Sequence, residues 1–375
     1  MTLIAHMADV HLGHRQYGSA EREQDVYEAF EEAVDAVLRE RAKVLLIAGD
    51  LFDGTRPPVR ALLKARDQFG RLASYGVRVF CVLGDHDLPK RTDEVPPTML
   101  FDELTHIGHR TVQLEVEGMR LVLTGLDKVS PSLLQTATEK LRPVHEEAMR
   151  SQGKRVMVAH FPLEWFRRRG SPLLPEGYHY YALGHEHVRS TVWIGGSPAV
   201  YPGSIEIISR DEVEYWERFG KGFVFVDLSG DEPQVHDVKL SSVRPQRVSE
   251  VPHQDIAKAL DELREWASGS PKKPIVHVRV RGRDVDRGKV VGALEGALKG
   301  LVLLYRYEVI EEGGDEAFEP KSLDIPSILR EYVRSRGLGP EVAELAVRVY
   351  EAYRSGGEDA VEELIDRRLS EVVGE

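Results

Sequence analysis

The chain has 375 residues, enough for two or three domains and a large core. No apolar run reaches the roughly 20 residues that span a bilayer, and Met1-Thr2-Leu3-Ile4 carries neither a basic region nor a cleavage site, so a cytoplasmic protein without membrane contact is expected. A net charge of -12 disfavours a polyanionic partner, unless divalent ions and a local basic stripe reverse the sign where it binds.

The elements read in order as follows. A strand over Leu3 to Ala8 runs into the polar loop Asp9 to Gly18, and a helix follows from about Glu23 to Arg41 with Val26, Phe30, Val34, Val37 and Leu38 on one stripe. Strand Val44 to Ala48 ends in Asp50, and Pro57-Pro58 opens a helix to about Tyr75. Strand Val77 to Leu83 delivers Gly84-Asp85-His86-Asp87, and Pro96-Pro97 starts a helix through Leu104. Short alternating strands follow at Val112 to Val116 and Arg120 to Thr124, joined by the turn Glu117-Gly118. A helix near Leu133 to Arg150 precedes strand Val156 to His160 and the run Tyr180 to His187. Strands at Thr191 to Ile194, Ala199 to Tyr201 and Phe223 to Leu228 complete a layered α/β domain over residues 1–240. Residues 244–312 read strand, helix, strand, helix, strand, a small second α/β domain, and 313–325 form a linker. The segment 326–375 is helical, broken at Gly337 to Pro340 and at Gly356-Gly357, with Val342, Leu345, Ala346 and Val349 forming a face that needs a cover.

Five apolar runs share one form: Leu3 to His11, Val44 to Asp50, Val77 to Asp87, Val156 to His160 and Tyr180 to His187 each end in Asp or His. In an open α/β sheet the carboxyl ends of parallel strands line one crevice. That would gather Asp9, His11, Asp50, Asp85, His86, His160, His185 and His187, a cluster that repels itself unless cations sit within it. A two-metal site is the reading. Oxygen and nitrogen donors without thiolate favour manganese over iron, zinc or magnesium. Two ions roughly 3.5 to 4 Å apart suit in-line displacement at phosphorus, which makes phosphate ester hydrolysis the natural reaction. The one cysteine, Cys81, falls inside an apolar run and reads as a buried, inert thiol. Candidate basic stripes are Arg56, Arg60, Lys64 and Arg66; Lys90 and Arg91; and Arg167 to Arg169, each of which taken singly is more often solvated surface. Arg15, Tyr17, Lys90 and Arg91 adjoin the ligand loops and are candidate phosphate contacts.

The ordered set Asp9-x-His11, Gly49-Asp50, Gly84-Asp85-His86-Asp87, His160 and Gly184-His185-Glu186-His187 resembles the calcineurin-like metallophosphoesterase superfamily. Within it, Asp9 to Gly13, Ala48 to Phe52 and Gly196 to Ser204 are similar to SbcD-type (meiotic-recombination-eleven) DNA double-strand-break repair nucleases. The resemblance implies a four-layer α/β/β/α sandwich, a small DNA-capping domain at 244–312 and an ATPase-binding helical tail. It implies one ion on Asp9, His11, Asp50 and His187, another on Asp50, Asp85, His160 and His185, and His86 off the metals as the group serving the leaving oxygen. It further implies two Mn2+ ions, 3'-5' exonuclease action on duplex ends, endonuclease action on single strands, and a nucleoid-associated location. The implied partners are DNA ends and single-stranded DNA, an SMC-like coiled-coil ABC ATPase of the SbcC type, and a second copy of the chain, with Leu62, Leu63, Met99, Leu100 and Leu104 as candidate dimer residues.

The chain departs from the family pattern at two positions. Asp85 stands where Asn is common, which should tighten the second ion but dampen its Lewis acidity. Asp53 stands where archaeal members carry His, and Asp50-x-x-Asp53 resembles the related protein phosphatases; one reading is that the Asp53 carboxylate accepts a hydrogen bond from His86 and keeps it competent as an acid, the other that Asp53 is a solvent-facing turn residue. Two other readings stay open: a phosphatase or cyclic-nucleotide phosphodiesterase, and a DNA-end-tethering scaffold whose metal site Asp85 has weakened.

Overall fold

The computed structural model describes residues 3–89, 91, 93–129, 134–164, 174–311 and 324–373. The first sheet holds β1 (Leu3–Met7), β2 (Val44–Ala48), β3 (Arg78–Val82) and β4 (Leu104–His106), all parallel. The second holds β5 (Thr111–Val116), β6 (Met119–Leu126), β7 (Lys154–His160), β8 (Tyr180–Gly184), β9 (Ser190–Ile194) and β10 (Ser197–Tyr201), in the order β5-β6-β7-β8-β10-β9. Antiparallel β11 (Gly222–Asp227) and β12 (Gln234–Lys239) extend the first sheet to the order β12-β11-β1-β2-β3-β4. The five apolar runs belong to two sheets, as the four-layer sandwich requires: β1 to β3 lie in one and β7 and β8 in the other. Each run is buried on both faces, and that is why hydrophobicity alone does not separate the sheets.

Three apolar clusters make the layers. Ile4, Leu46, Ala48 and Phe80 of the first sheet meet Leu123, Val158 and Ala182 of the second. Outside the first sheet lie α1 (Ala20–Arg39) and α2 (Val59–Ser74), with Phe30, Val34 and Phe69 packed on Leu45 and Ile47. Outside the second lies α3 (Leu134–Arg150), whose Leu141 and Ala148 cover Met157 and Tyr181. The result is an α/β/β/α sandwich. Each fully buried Leu, Ile or Phe contributes roughly 1.5 to 3 kcal/mol, so these clusters fix the strand ends that carry the polar residues.

The remaining elements are α4 (Val213–Phe219), β13 (Gln246–Pro252), α5 (Ile256–Ser268), β14 (Ile275–Gly282), α6 (Arg287–Leu298), β15 (Leu304–Glu311), α7 (Ile325–Ser335) and α8 (Pro340–Val373). The strands β13, β14 and β15 form a third sheet in that order. Two compact units result, one of residues 1–250, 257–279 and 291–308, the other of 251–256, 280–290 and 309–375. Within the first, buried Arg244 grips the Asp25 carboxylate at 2.5 and 2.9 Å, and Arg22 joins Asp25 to Glu206.

Three local expectations need correction. The segment after Pro96-Pro97 is one 3-10 turn, Pro97–Leu100, followed by β4; so short a stretch cannot recover the cost of helix nucleation. The tail does not break at Gly356-Gly357, since α8 runs through both glycines at a cost of roughly 1 kcal/mol each. On α8 the covered residues are Ala343 and Val347, while Val342 and Leu345 are exposed, because the α7 contact falls one position along from the expected stripe. Two further elements, β12 and α4, are short and mostly exposed and so carry little apolar signal in the sequence. Leu133, Arg167 to Arg169 and 313–323 of the linker lie outside the described residues.

Candidate metal centre

The strand ends deliver their polar residues into one place. His160, the last residue of β7, sends Nδ1 to the Ala48 carbonyl of β2 at 2.9 Å, and the His185 amide after β8 donates to both Asp9 carboxylate oxygens at 3.1 Å. The His86 amide donates to Asp50 Oδ1 at 2.9 Å. The bonds made by His160 and His185 tie the two sheets together at their carboxyl edges, and the His86 bond joins two loops of the first sheet.

The backbone is strained there. Asp9, His11, Asp50 and His185 have φ of 52°, 51°, 51° and 103°, a left-handed region that costs an L-residue energy and persists where the surroundings demand it. Glycine is needed beside them: a Cβ on Gly49 would strike the His160 ring, and one on Gly84 would strike the Asp50 carboxylate.

Four overlapping groups of donor atoms follow: Asp9, His11 and His187; Asp9, Asp50 and His160; Asp85, His160 and His185; and His11, Asp53 and His86, with ligand atoms inside each group within 4.8 Å of one another. Asp50 Oδ2 lies 3.8 Å from His11 Nε2 and 3.5 Å from His160 Nε2, between the two halves. The donor set fits cations on a specific observation. His11 Nε2 and His187 Nε2 face each other at 3.1 Å, while each ring's Nδ1 is committed to a carboxylate, Asp53 at 3.2 Å and Glu212 at 2.9 Å. With each Nδ1 directed at a carboxylate, the two Nε2 atoms are the ones that face the shared space, where a cation satisfies both. In the other half, His185 Nδ1 and His160 Nε2 are 3.3 Å apart and 2.8 and 3.4 Å from Asp85 Oδ2.

The electrostatics agree. Burial would lower the His160 pKa, but Asp50, Asp85 and Asp9 overcome it and raise the group to about 9, so the pocket draws in positive charge. Burial works against ionising Asp85, yet hydrogen bonds from His160, His185 and Lys128 hold its carboxyl well below the usual range. Glu212 is likewise opposed by burial and pulled down to about 2 by His187 and Lys221.

A calcineurin-like phosphoesterase family model matches residues 2–189. The "DNA double-strand break repair protein Mre11" of Saccharolobus solfataricus is 33% identical over 320 residues, covering 82% of each chain. The chain belongs to the Mre11 family of calcineurin-like phosphoesterases. A second Mre11, from Sulfolobus acidocaldarius, is 28% identical over 381 residues, covering 97% of this chain and 98% of that protein. As a member of this family the chain is a nuclease, a phosphodiesterase that depends on a dinuclear metal site. Among the described residues no helix is long and apolar enough to cross a membrane.

The structure brings together Asp9, His11, Asp50, Asp53, Asp85, His86, His160, His185 and His187. The expected bond from His86 to the Asp53 carboxylate is absent. His86 Nδ1 instead donates to the Asp53 main-chain carbonyl at 2.9 Å, because the carboxylate is already taken by His11 and by His14 at 3.0 Å. Arg15 pairs with Glu23 at 3.2 Å, Arg91 with Asp93 at 3.0 Å, and the Tyr17 ring lies under the Arg306 guanidinium; Lys90 is outside the described residues. The stripe from Arg56 to Arg66 is not an open basic surface, since Arg56, Lys64 and Arg66 pair with Glu94, Glu31 and Asp67.

Glu212, Lys221 and Lys128 were not expected at the site, and Asp87 was expected only as part of its motif, without a role. Glu212 fixes His187 and is itself held by buried Lys221, yet only the helix-start pattern Ser209-x-x-Glu212 marked it. Lys128 places Nζ 2.7 Å from Asp85 Oδ2. Asp87, wholly buried, accepts the amides of Leu51, Phe52 and Gly84 at 3.1 to 3.2 Å and so fastens the Asp50 loop to the His86 loop.

Proposed function

We propose that the chain is a manganese-dependent nuclease that processes DNA double-strand breaks, cutting duplex ends 3'-5' and single strands internally. The observation that carries this is the pair of opposed imidazole nitrogens with Asp50 between the halves. In this reading Asp9, His11, Asp50 and His187 hold one ion, and Asp50, Asp85, His160 and His185 the other. When bound, the two ions neutralise phosphate oxygens and make water a stronger nucleophile. Asp53 and Glu212 orient His11 and His187, and the Asp53 carbonyl orients His86, leaving Nε2 to give a proton to the departing oxygen. Lys128 offsets the charge of Asp85, which favours an active centre over a weakened tethering scaffold.

The relatives' printed role in break repair supports DNA ends and single-stranded DNA as partners and a nucleoid-associated, cytoplasmic setting. Residues 244–312 act as the DNA cap and 326–375 as the docking tail for an SMC-like coiled-coil ABC ATPase of the SbcC type. Exposed Val342, Leu345 and Tyr353 offer that tail an apolar surface. Exposed Leu63, Met99 and Leu100 serve a homodimer with partly buried Leu62; Leu104 does not, because it packs in the core. Arg15, Tyr17 and Arg91 contact DNA.

The test is to incubate the purified chain with manganese and labelled duplex or single-stranded DNA, beside His86→Ala. Cleavage by the wild type that the variant loses supports the proposal. Cleavage of small phosphodiesters alone points to a phosphodiesterase, and no cleavage by either form points to a scaffold.

A further inference from the structure

A second site lies in the same compact unit, outside the metal centre. A cavity of about 520 Å³ is lined by Tyr17, Arg210, His277, Arg279, Arg306 and Tyr307, with Glu308 as its one acidic lining residue. Three guanidinium groups around one void stand out in a chain of net charge -12.

Among the described residues Arg306 forms no ion pair, whereas Arg210 and Arg279 are paired only at long range, Arg210 with Asp211 at 3.7 Å. Glu308 lies 3.4 Å from Arg279 Nε and 3.7 Å from Arg210, and Glu250 lies 3.9 Å from Arg279, while Arg279 Nε is buried without a hydrogen-bond partner. A buried donor in that condition calls for an acceptor. His277 reports the resulting field: burial, then the charges of Arg210, Arg306 and Arg279, push it down to about 4, so it is neutral near pH 7.

Planar groups are stacked in the same wall. The Arg306 guanidinium sits 5.2 Å from the centre of the Tyr17 ring, and His277 sits 5.8 Å from it on a tilted plane. Tyr17 is held at φ 59°, a conformation that a bulky residue adopts only under constraint. Tyr307 leaves a large part of its ring open to solvent.

Chain connectivity links this cavity to the metal centre on two sides. Tyr17 follows His11 in the loop between β1 and α1. Arg210 lies in the turn closed by Glu212, whose carboxylate accepts the amides of Ile208 and Ser209 and the Nδ1 proton of His187.

We propose that this cavity is a nucleotide subsite for single-stranded DNA, with a phosphate between Arg279 and Arg306 and a base stacked on the layer formed by Arg306 and Tyr17. Cationic grooves with planar side chains bind single strands in this way, with little preference for sequence. The assignment rests on the nuclease reading and adds to it a place where the strand is held away from the ions.

The test uses the full chain in EDTA, so that neither cleavage nor metal contributes, and a short fluorescein-labelled single-stranded oligonucleotide. Arg306→Gln and Arg279→Gln should each weaken binding roughly ten-fold. Each should also flatten the dependence of log affinity on log salt by roughly 0.7. Arg150→Gln, which removes the same charge from an exposed helix end, should change neither, and thermal melts will show that all variants fold. Deoxyadenosine monophosphate should displace the oligonucleotide at a concentration where inorganic phosphate does not. Unchanged affinity and salt slope in the two cavity variants would overturn the subsite, as would equal displacement by phosphate. If the wild type binds no oligonucleotide either in EDTA or with manganese, the nuclease reading falls as well.

Discussion

Two buried histidines, His160 at the end of β7 and His277 in β14, show what separates the metal centre from the arginine cavity. Burial lowers the pKa of both, yet His160 ends at about 9 and His277 at about 4. The sign of the neighbouring charges makes the difference: Asp50, Asp85 and Asp9 surround the first, Arg210, Arg306 and Arg279 the second. The carboxylates of the first region favour cations, and the arginines of the second favour an anion, in keeping with the subsite proposed above. A phosphodiester with metal ions at its scissile group needs both.

The comparison breaks most severely if Asp50 is dispensable. Asp50→Asn removes the carboxylate between the halves, and DNA cleavage should fall roughly 10^3-fold, as for the loss of a central electrostatic contact. Steady-state cleavage of labelled DNA measures it, and retention of most activity would contradict the shared position.

Acid sharpens the contrast from the other side. His277 has a folded pKa below its unfolded value, so its stabilising contribution is complete above about 6.5 and is lost as pH falls through about 4. The loss approaches roughly 3 kcal/mol. Urea unfolding at neutral and acid pH should show it in the wild type and not in His277→Asn.

The carboxylates behind the metal centre come next. Asp53→Asn and Glu212→Gln each free the ring that the carboxylate orients, and manganese affinity should drop roughly 10- to 100-fold by calorimetry. The smallest effect belongs to Lys128→Met, which removes a cation from beside Asp85. Manganese should then bind up to roughly five-fold tighter, the scale of a partly exposed pair.

The donor residues were legible in the sequence because each ends an apolar strand, and strand ends converge. Which sheet each strand joins was not legible, since β2 and β8 are equally apolar on both faces. The partners behind the donors were hidden for a different reason. Glu212 reaches His187 across 25 residues and a change of element, and Asp87 serves three backbone amides that no side-chain motif announces. The Asp53 expectation failed because two histidines compete for one carboxylate, and His14 lay inside a loop that reads as plain polar sequence. The arginine cavity draws on residues from 16 to 308, a separation across which spacing carries no signal.

The most direct test of the two-ion centre is a low-temperature electron paramagnetic resonance spectrum of the manganese-loaded chain, with metal content measured on the same sample. Two ions per chain with the spectrum of an exchange-coupled pair, lost in Asp50→Asn, is the predicted result. One ion per chain, or two without coupling, would contradict the placement of Asp50 between them.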